Sequence, residues 1–317
     1  MMYLKTRPAW SQLLIFIGLA FGCFLVLGMV GMMILSNITG FDLLQMSNEG
    51  DWDYSNPAML TFLRGMLLIQ FISLFIIPTF LFAYFSDSRP VKYLGLRPAP
   101  SIYFLLGAAV LIVAIPFVDW LGVFNHQLMP ETTGVGKWMK QAEDTATKQI
   151  VFMLKRNSVQ DLLMNLLFVA VFAGVGEELF FRGVLQRIFI RLFKSPVIGI
   201  VITAFVFSAI HFQFYGFIPR FILGILLGMV YWYSGSLWPA IVAHVVYDGF
   251  AVVAIYFDPS LADQQATLPI GNQVIAAVIS AVLTVVLVYQ MRKKSTSSYD
   301  TVYAGDKPEN INPFTFS

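Results

Sequence analysis

Two adjacent glutamates and a nearby arginine interrupt one of the most hydrophobic stretches of the chain. They are Glu177, Glu178 and Arg182, and the run before them, 162–176, is almost entirely apolar. A charged side chain at membrane depth costs at least about 2.5–3.5 kcal/mol, so it rarely lies there without a partner or a task. Glu178 and Arg182 are four residues apart with the acid first, the favoured order for a helical ion pair. Glu177 has no such partner, and we predict that it accepts a proton from water.

Two further ionisable clusters lie in later apolar segments. His211 follows Phe207 by four residues, and Asp248 follows His244 by four. This spacing predicts that each pair shares one face of a helix. The third histidine of the chain, His126, lies in a segment of mixed charge, and we interpret it as a surface residue. The sequence therefore predicts a polar site that is built inside a membrane bundle.

The depth of the three clusters can be estimated from the neighbouring turns at 1.5 Å per helical residue. On this scale Glu177 and His211 lie about 25 and 22 Å from the turn that joins their two segments. His244 and Asp248 lie roughly 13 and 20 Å from the turn that precedes them. All four residues can therefore meet in one layer of the bundle.

The residue types permit two kinds of hydrolytic site. In the first, a carboxylate activates water while imidazole and other donors stabilise the oxyanion on a carbonyl group. In the second, Glu177, His211 and His244 are ligands of a zinc ion with one open position. Spacing does not decide between them. Buried carboxylates and histidines also relay protons in proton-coupled transporters, but that reading predicts repeats in corresponding halves, and the sequence shows none.

The composition indicates a membrane protein. The 317 residues are 58% hydrophobic and 12% charged, whereas soluble proteins carry roughly 25% charged residues. A water-soluble protein is therefore excluded, and the net charge of +2 gives no reason to expect a nucleic-acid partner. A membrane span needs about 20 mostly apolar residues. The predicted fold is an all-α, polytopic bundle of about eight spans, at 11–36, 57–86, 101–122, 160–193, 196–214, 217–233, 237–257 and 271–291.

Basic residues in the loops predict the orientation, because lysine and arginine are enriched on the cytoplasmic side. With eight spans, every basic loop lies on the same side as both termini. These loops contain Lys5, Arg7, Arg89, Lys92, Arg97, Arg191, Lys194, Arg292, Lys293 and Lys294. Acidic residues are concentrated in the first and last loops of the opposite side, at Asp42, Glu49, Asp51, Asp53, Asp258 and Asp263. We therefore predict cytoplasmic termini, a multi-pass protein of the cell (inner) membrane, and an outer segment, 123–159, that holds a short interfacial helix.

We interpret the other charged residues in the apolar segments, and one pattern of small residues, as structural. The fourth span would reach about 50 Å, so we expect its second half, with Arg187 and Arg191, to emerge through the headgroups. Arg64 lies near the end of the second span and can snorkel. Asp119 lies near the end of the third span, where we expect an interfacial role. The pattern from Gly224 to Gly228 favours close helix packing.

In their order and spacing, the three motifs resemble those of the CPBP intramembrane proteases. This family includes CAAX prenyl endopeptidases and bacteriocin-processing and immunity (Abi-type) proteins. The resemblance covers about residues 160–257. It implies an organisation of 1–158 as N-terminal spans with an outer loop, 159–257 as the catalytic helical core, 258–294 as the last span, and 295–317 as a disordered cytoplasmic tail.

The resemblance also implies a role for each residue. Glu177 would activate the hydrolytic water, supported by Glu178 and Arg182. His211 would contact the water or polarise the substrate, beside a wall shaped by Phe207. His244 and Asp248 would stabilise the oxyanion. The eukaryotic CAAX enzymes carry asparagine at the last position, and Asp248 cannot donate an amide hydrogen bond.

The predicted function is therefore an intramembrane endopeptidase that acts near the cytoplasmic half of the bilayer. Its expected partners are the lipid bilayer and a membrane-anchored peptide or protein, with a prenylated CAAX substrate as one candidate. The family has been described both as metalloproteases and as glutamate-dependent enzymes. No cofactor is favoured here, since Arg182 already compensates the charge of Glu178, and zinc is the alternative. A non-catalytic immunity or scaffold protein of the same fold is the rival hypothesis.

Overall fold

Nine helices are numbered in the computed structural model, which describes residues 4–43, 52–129, 133–262 and 270–299. They are α1 (Ala9–Thr39), α2 (Ala58–Ser86), α3 (Ser101–Leu128), α4 (Gly134–Leu154), α5 (Val159–Phe193), α6 (Pro196–Ala209), α7 (Phe217–Ser234), α8 (Leu237–Phe257) and α9 (Ile270–Lys294). Shorter turns of helix lie at Pro90–Tyr93, Phe214–Gly216 and Pro259–Ala262. No β-strand occurs in these ranges, which confirms the all-α prediction.

Seven of these helices are long and apolar enough to cross a membrane, within the ranges described. They are α1, α2, α3, α5, α7, α8 and α9. The predicted fifth span, 196–214, differs: α6 has 14 residues and ends at Ala209. It is about 21 Å long, shorter than the roughly 30 Å hydrocarbon core. The backbone turns back just beyond it, with Phe212 in a left-handed conformation at φ 53°.

The directions of the central helices follow from their contacts. Arg182 and Gln186 on α5 donate to the carbonyl oxygens of Gly224 and Gly228 on α7, so these two helices run parallel. Between them, α6 runs in the opposite direction. It packs against Ile190 of α5 at its start, through Gly199, and against Phe181 at its end, through Phe207. The short α6 is therefore a reversed segment between α5 and α7, in addition to the seven long apolar helices of the described residues.

Both described ends of the chain lie at one end of the bundle. The Leu4 N–H donates to the Phe85 carbonyl, and the Ser236 hydroxyl donates to the Arg97 carbonyl. Ser297, beyond α9, lies beside Gly235. We call residues 4–7, 85–97, 191–195, 234–237 and 291–299 the basic end. The opposite end, formed by residues 39–43, 52–57, 125–129, 133–158, 210–219 and 257–262, is called the distal end.

Close packing between α6 and α7 depends on glycine, as predicted. A methyl group on Gly224 would lie 3.0 Å from the Ala204 Cβ atom, and one on Gly228 would lie 2.8 Å from an Ile200 methyl carbon. Small residues allow helices to approach this closely. The prediction of a packing role is confirmed.

The second half of α5 is enclosed by the other helices of the protein as far as Ile190. Every residue from Glu178 to Ile190 is buried. The reason is that its arginines find partners inside the bundle. Arg187 donates to the Tyr93 carbonyl and stacks over the Tyr93 ring. Exposure begins only beyond Ile190.

Arg64, which we expect from the sequence to snorkel, forms an ion pair within the protein. Its guanidinium lies 2.9 Å from Asp161 and 3.0 Å from the Asn165 side-chain oxygen. This ion pair joins α2 to the start of α5. Asn165 in turn donates to the carbonyl of Met153, at the end of α4.

The outer segment contains a longer helix than the short one expected. Helix α4 has 21 residues and begins at Gly134, and the hydroxyl of the preceding Thr133 accepts from the Gly136 N–H as a cap. It packs on the distal end through Trp138 against Phe214 and through Phe152 against Tyr54. Of the acidic residues expected on that side, Glu49, Asp51 and Asp263 lie outside the described residues, as does the tail from residue 300.

Candidate active site

Three helices and one turn bring the predicted residues together. Glu177 ends an α-helical stretch of α5, and Glu178 begins a π-helical stretch that extends to Gln186. π-Helical turns occur frequently at functional sites, and no pattern in the sequence predicts this one. The two adjacent glutamates point into different surroundings. The Glu178 side chain is fully buried, whereas 13% of the Glu177 side chain is exposed.

Glu178 is the centre of a buried ion-pair network. Its Oε1 atom accepts from Arg182 at 2.7 Å and from His244 Nδ1 at 2.9 Å. Arg182 donates to the Gly224 carbonyl at 3.0 Å. The predicted pairing of Glu178 with Arg182 is present, but the bond to His244 was not predicted. It joins α5 to α8 and orients the imidazole.

The hydrogen bonds indicate which nitrogen of each imidazole carries a proton. His211 Nδ1 lies 2.6 Å from the Phe207 carbonyl, which can only accept, so Nδ1 must donate. By the same reasoning His244 Nδ1 donates to the Glu178 carboxylate. In both rings Nε2 is therefore the atom that faces the site.

Glu177 lies between the two imidazoles. One of its carboxylate oxygens is 3.8 Å from His211 Nε2, and the other is 3.8 Å from His244 Nε2. Polar groups at this separation are suited to a bridging water. His244 Nε2 also lies 3.3 Å from Asp248. The four residues predicted to share one layer of the bundle do so.

The Phe207 ring packs against both histidines. It contacts the rings of His211 and His244 edge-on, with centroid distances of 5.1 and 6.4 Å. The Arg182 guanidinium lies 4.7 Å from its centroid. Phe207 is 3% exposed, so it fixes the position of both histidines as well as forming the wall of the site.

The site opens into a cavity of about 1280 Å³. Glu177, His211, His244 and Asp248 line its inner part. Its outer part is lined by residues of α3, α4, α7 and the turn after α8, among them Asp119, His126, Lys140, Glu143, Asp144, Arg220 and Leu261. The irregular backbone around His211 also borders this cavity, which is where non-helical backbone is tolerated at membrane depth.

Several residues that line the cavity differ from their interpretation from the sequence, or have none. His126 is not a simple surface residue, because it packs against the Tyr215 ring at 4.7 Å and lines the cavity. Asp119 also faces the cavity. Arg220 was missed although it interrupts an apolar run, which is a signal for an intramembrane functional site. Its guanidinium donates to the Gln213 carbonyl and side-chain oxygens.

The zinc hypothesis can be compared with these positions. Among the described residues, no three histidine, cysteine, aspartate or glutamate side chains form a group that could hold a metal ion. The zinc ligand set remains an untested prediction, and no step below depends on a metal.

Part of the chain matches a known protein family. Residues 159–250 match the family model described as type II CAAX prenyl endopeptidase Rce1-like. The matched region contains all three motifs and confirms the resemblance drawn from them. The chain is also similar to the uncharacterized protein YpbD of Bacillus subtilis (strain 168), with 29% identity over 98 residues. This match covers 30% of the chain and 47% of YpbD. No solved structure matches the chain.

Proposed function

We propose that this chain, whose residues 159–250 match the model of the Rce1-like family of type II CAAX prenyl endopeptidases, is an intramembrane endopeptidase with a glutamate-activated water. The family is one of proteases, and the long apolar helices make the chain a multi-pass membrane protein. The substrate is a membrane-associated polypeptide. A prenylated CAAX-type tail is one candidate for it.

One observation carries this proposal. Glu177 faces the Nε2 atoms of two histidines, at 3.8 Å each, within a large cavity. The adjacent Glu178 is fully buried and paired with Arg182. The charge of one carboxylate is thereby compensated, and the other is left facing the cavity. A general base needs this access to a water molecule.

The proposed reaction uses these residues in sequence. Glu177 accepts a proton from water while the resulting hydroxide attacks the carbonyl carbon of the scissile peptide bond. The tetrahedral oxyanion is stabilised by the Nε2–H group of His211 or His244, in the doubly protonated form of that ring. Glu177 then returns its proton to the departing amine as the C–N bond breaks, which leaves a new carboxylate and a new amino group.

His244 is suited to the oxyanion role because of its partners. Both of its ring nitrogens face carboxylate oxygens, Glu178 at 2.9 Å and Asp248 at 3.3 Å. When both nitrogens carry protons, the ring is cationic and its N–H groups can donate. We propose that Asp248 acts through His244, by holding that ring in place, since a carboxylate cannot itself donate to an oxyanion.

The test is cleavage of a panel of prenylated and unprenylated peptides by the purified protein, with and without a chelator. Glu177→Ala serves as the inactive control. We expect cleavage by the wild-type protein that persists with chelator and is absent in the variant. Loss of wild-type cleavage with chelator would favour the zinc mechanism. Equal inertness of both proteins over a broad panel would favour the scaffold hypothesis.

A further inference from the structure

The two ends of the bundle differ strongly in charge. The basic end contains a single described acidic residue, Asp87, against a large group of lysines and arginines. That group is Lys5, Arg7, Arg89, Lys92, Arg97, Arg191, Lys194, Arg292, Lys293 and Lys294. At the distal end, the lysines and arginines of α4 and of the turn after it are mixed with Glu143, Asp144 and Asp258. Lysine and arginine in short loops mark the cytoplasmic side of a membrane protein.

The cavity belongs to the distal end. On α3 its lining residues run from Leu111 to Gln127, and on α7 they run from Pro219 to Leu227. It also includes Leu261, in the turn after α8, and five residues of α4. No residue that we assign to the basic end is among the described residues that line it. A substrate therefore reaches Glu177 from the distal end.

This geometry makes two of the predictions from sequence incompatible. The termini and the mouth of the cavity lie at opposite ends of the bundle. If the termini are cytoplasmic, the site cannot receive a substrate from the cytoplasm through this cavity. Ten basic residues in separate segments support cytoplasmic termini. No residue gives independent support to cleavage near the cytoplasmic half of the bilayer.

We infer that the active-site cavity opens on the extracytoplasmic face of the membrane. The substrate class that follows is a polypeptide segment that is exposed on that face, from an exported or membrane-anchored protein. A lipidated tail held at the cytoplasmic leaflet would lie on the wrong side. The statement about the substrate rests on the proposed protease activity, but the statement about the opening does not.

The mouth of the cavity fits a peptide more than a purely apolar ligand. Lys140 and Arg220 share it with Asp119, Glu143 and Asp144. Mixed charges of both signs can bind the polar backbone of an extended segment and its charged side chains. The inner part, by contrast, is walled by apolar residues such as Leu223 and Leu227 in addition to the catalytic groups.

Cysteine labelling in intact cells tests the direction of opening. The native Cys23 is replaced by alanine, and a single cysteine is introduced either at the cavity mouth, Gln127→Cys, or at the basic end, Thr296→Cys. Both positions are exposed. We expect a membrane-impermeant maleimide to label Gln127→Cys in intact cells and Thr296→Cys only after permeabilisation. The reverse pattern, or labelling of Thr296→Cys in intact cells, would overturn the inference.

The substrate is tested with two single-span model proteins that carry the same cleavable segment, one on each side of the membrane. We expect cleavage of the extracytoplasmic segment only, and none by Glu177→Gln. Cleavage of the cytoplasmic segment alone would overturn the inference about substrate. If neither is cleaved while the labelling pattern is as expected, the proposed activity fails and the direction of opening stands.

Discussion

At the scale of single residues, two carboxylates that are neighbours in the sequence lie in different surroundings. Glu178 is enclosed by Arg182 and His244, and Glu177 faces the cavity. Adjacent positions on a helix point about 100° apart, so neighbours in sequence need not share an environment. Glu178 is therefore a positioning residue for His244, and Glu177 is the proposed base.

Substitution of Asp248 tests its proposed role as the support of His244. Asp248→Asn keeps the shape and an oxygen that can accept from His244 Nε2, which lies 3.3 Å away. We expect kcat to stay within about tenfold of wild type for this variant. In Asp248→Ala the contact is lost, and we expect kcat to fall further while KM changes little. Equal kcat values for both variants would contradict the positioning role.

Removal of Arg182 tests the buried ion pair. Arg182→Met leaves Glu178 as a fully buried carboxylate without its closest cationic partner. Breaking a buried pair in this way typically costs about 3–5 kcal/mol. We expect a large fall in the melting temperature of the purified protein in detergent. The double variant Glu178→Gln with Arg182→Met should recover part of that loss; no recovery would show that the pair does not act as a unit.

The sequence predicted the members of the site but not all of their contacts. Ionisable residues in apolar segments are costly, so Glu177, His211 and His244 could be recognised from their context alone. The bond between His244 and Glu178 could not, since it depends on the π-helical stretch of α5 and on the register between α5 and α8. Cavity-lining residues such as His126 face inward only because α4 and the turn after α6 cover them.

At the scale of elements, α6 determines how the site meets the cavity. The helix ends at Ala209, and His211 lies in the turn just beyond it. A helix that crossed the whole bilayer would carry the chain past this depth. Hydropathy predicted a full span here, because the apolar character continues through Phe212 and Phe214. The end of the helix depends on local backbone geometry, which a sliding window does not detect.

Glycine substitution tests the packing of α6 on α5. A Cβ atom at Gly199 would lie 2.8 Å from the backbone nitrogen of Ile190 and 2.9 Å from its Cα atom. Backbone atoms cannot move aside as a side chain can, and overpacking of this kind costs about 1–3 kcal/mol. We expect Gly199→Ala to lower the melting temperature. Gly18→Ala, where nothing lies within 4 Å, is the matched control and should not lower it; equal effects would argue against this packing.

The pH dependence of stability tests the burial of Glu143 on α4. Burial raises the pKa of the Glu143 carboxyl above its ordinary value of 4.5, and the positive charge of Arg220 acts in the opposite direction. A raised pKa means that the folded protein favours the protonated carboxyl. Stability from this group is therefore present at low pH and is lost as the pH rises through that pKa.

We accordingly expect the melting temperature of Glu143→Gln, relative to wild type, to increase as the pH is raised above 4.5. Glutamine keeps the size of the side chain and removes its ionisation. Melting curves of both proteins at a series of pH values provide the comparison. A difference in melting temperature that stays constant with pH would show that ionisation of the Glu143 carboxyl does not destabilise the folded protein.

At the scale of the whole molecule, the helices bring both described ends of the chain to the basic end, and the cavity opens at the distal end. Counting apolar segments predicted the long helices. The position of the cavity could not be predicted in this way. It depends on how α3, α4, α7 and the turn after α8 pack around the distal end.

The central claim is that Glu177 activates the hydrolytic water, and Glu177→Gln tests it most directly. Glutamine has nearly the same shape but cannot accept the proton. The cleavage rate of one substrate is measured for both proteins, together with their melting temperatures. We predict a fall of about 10²- to 10⁴-fold with an unchanged melting temperature. A rate within a few-fold of wild type would contradict the account.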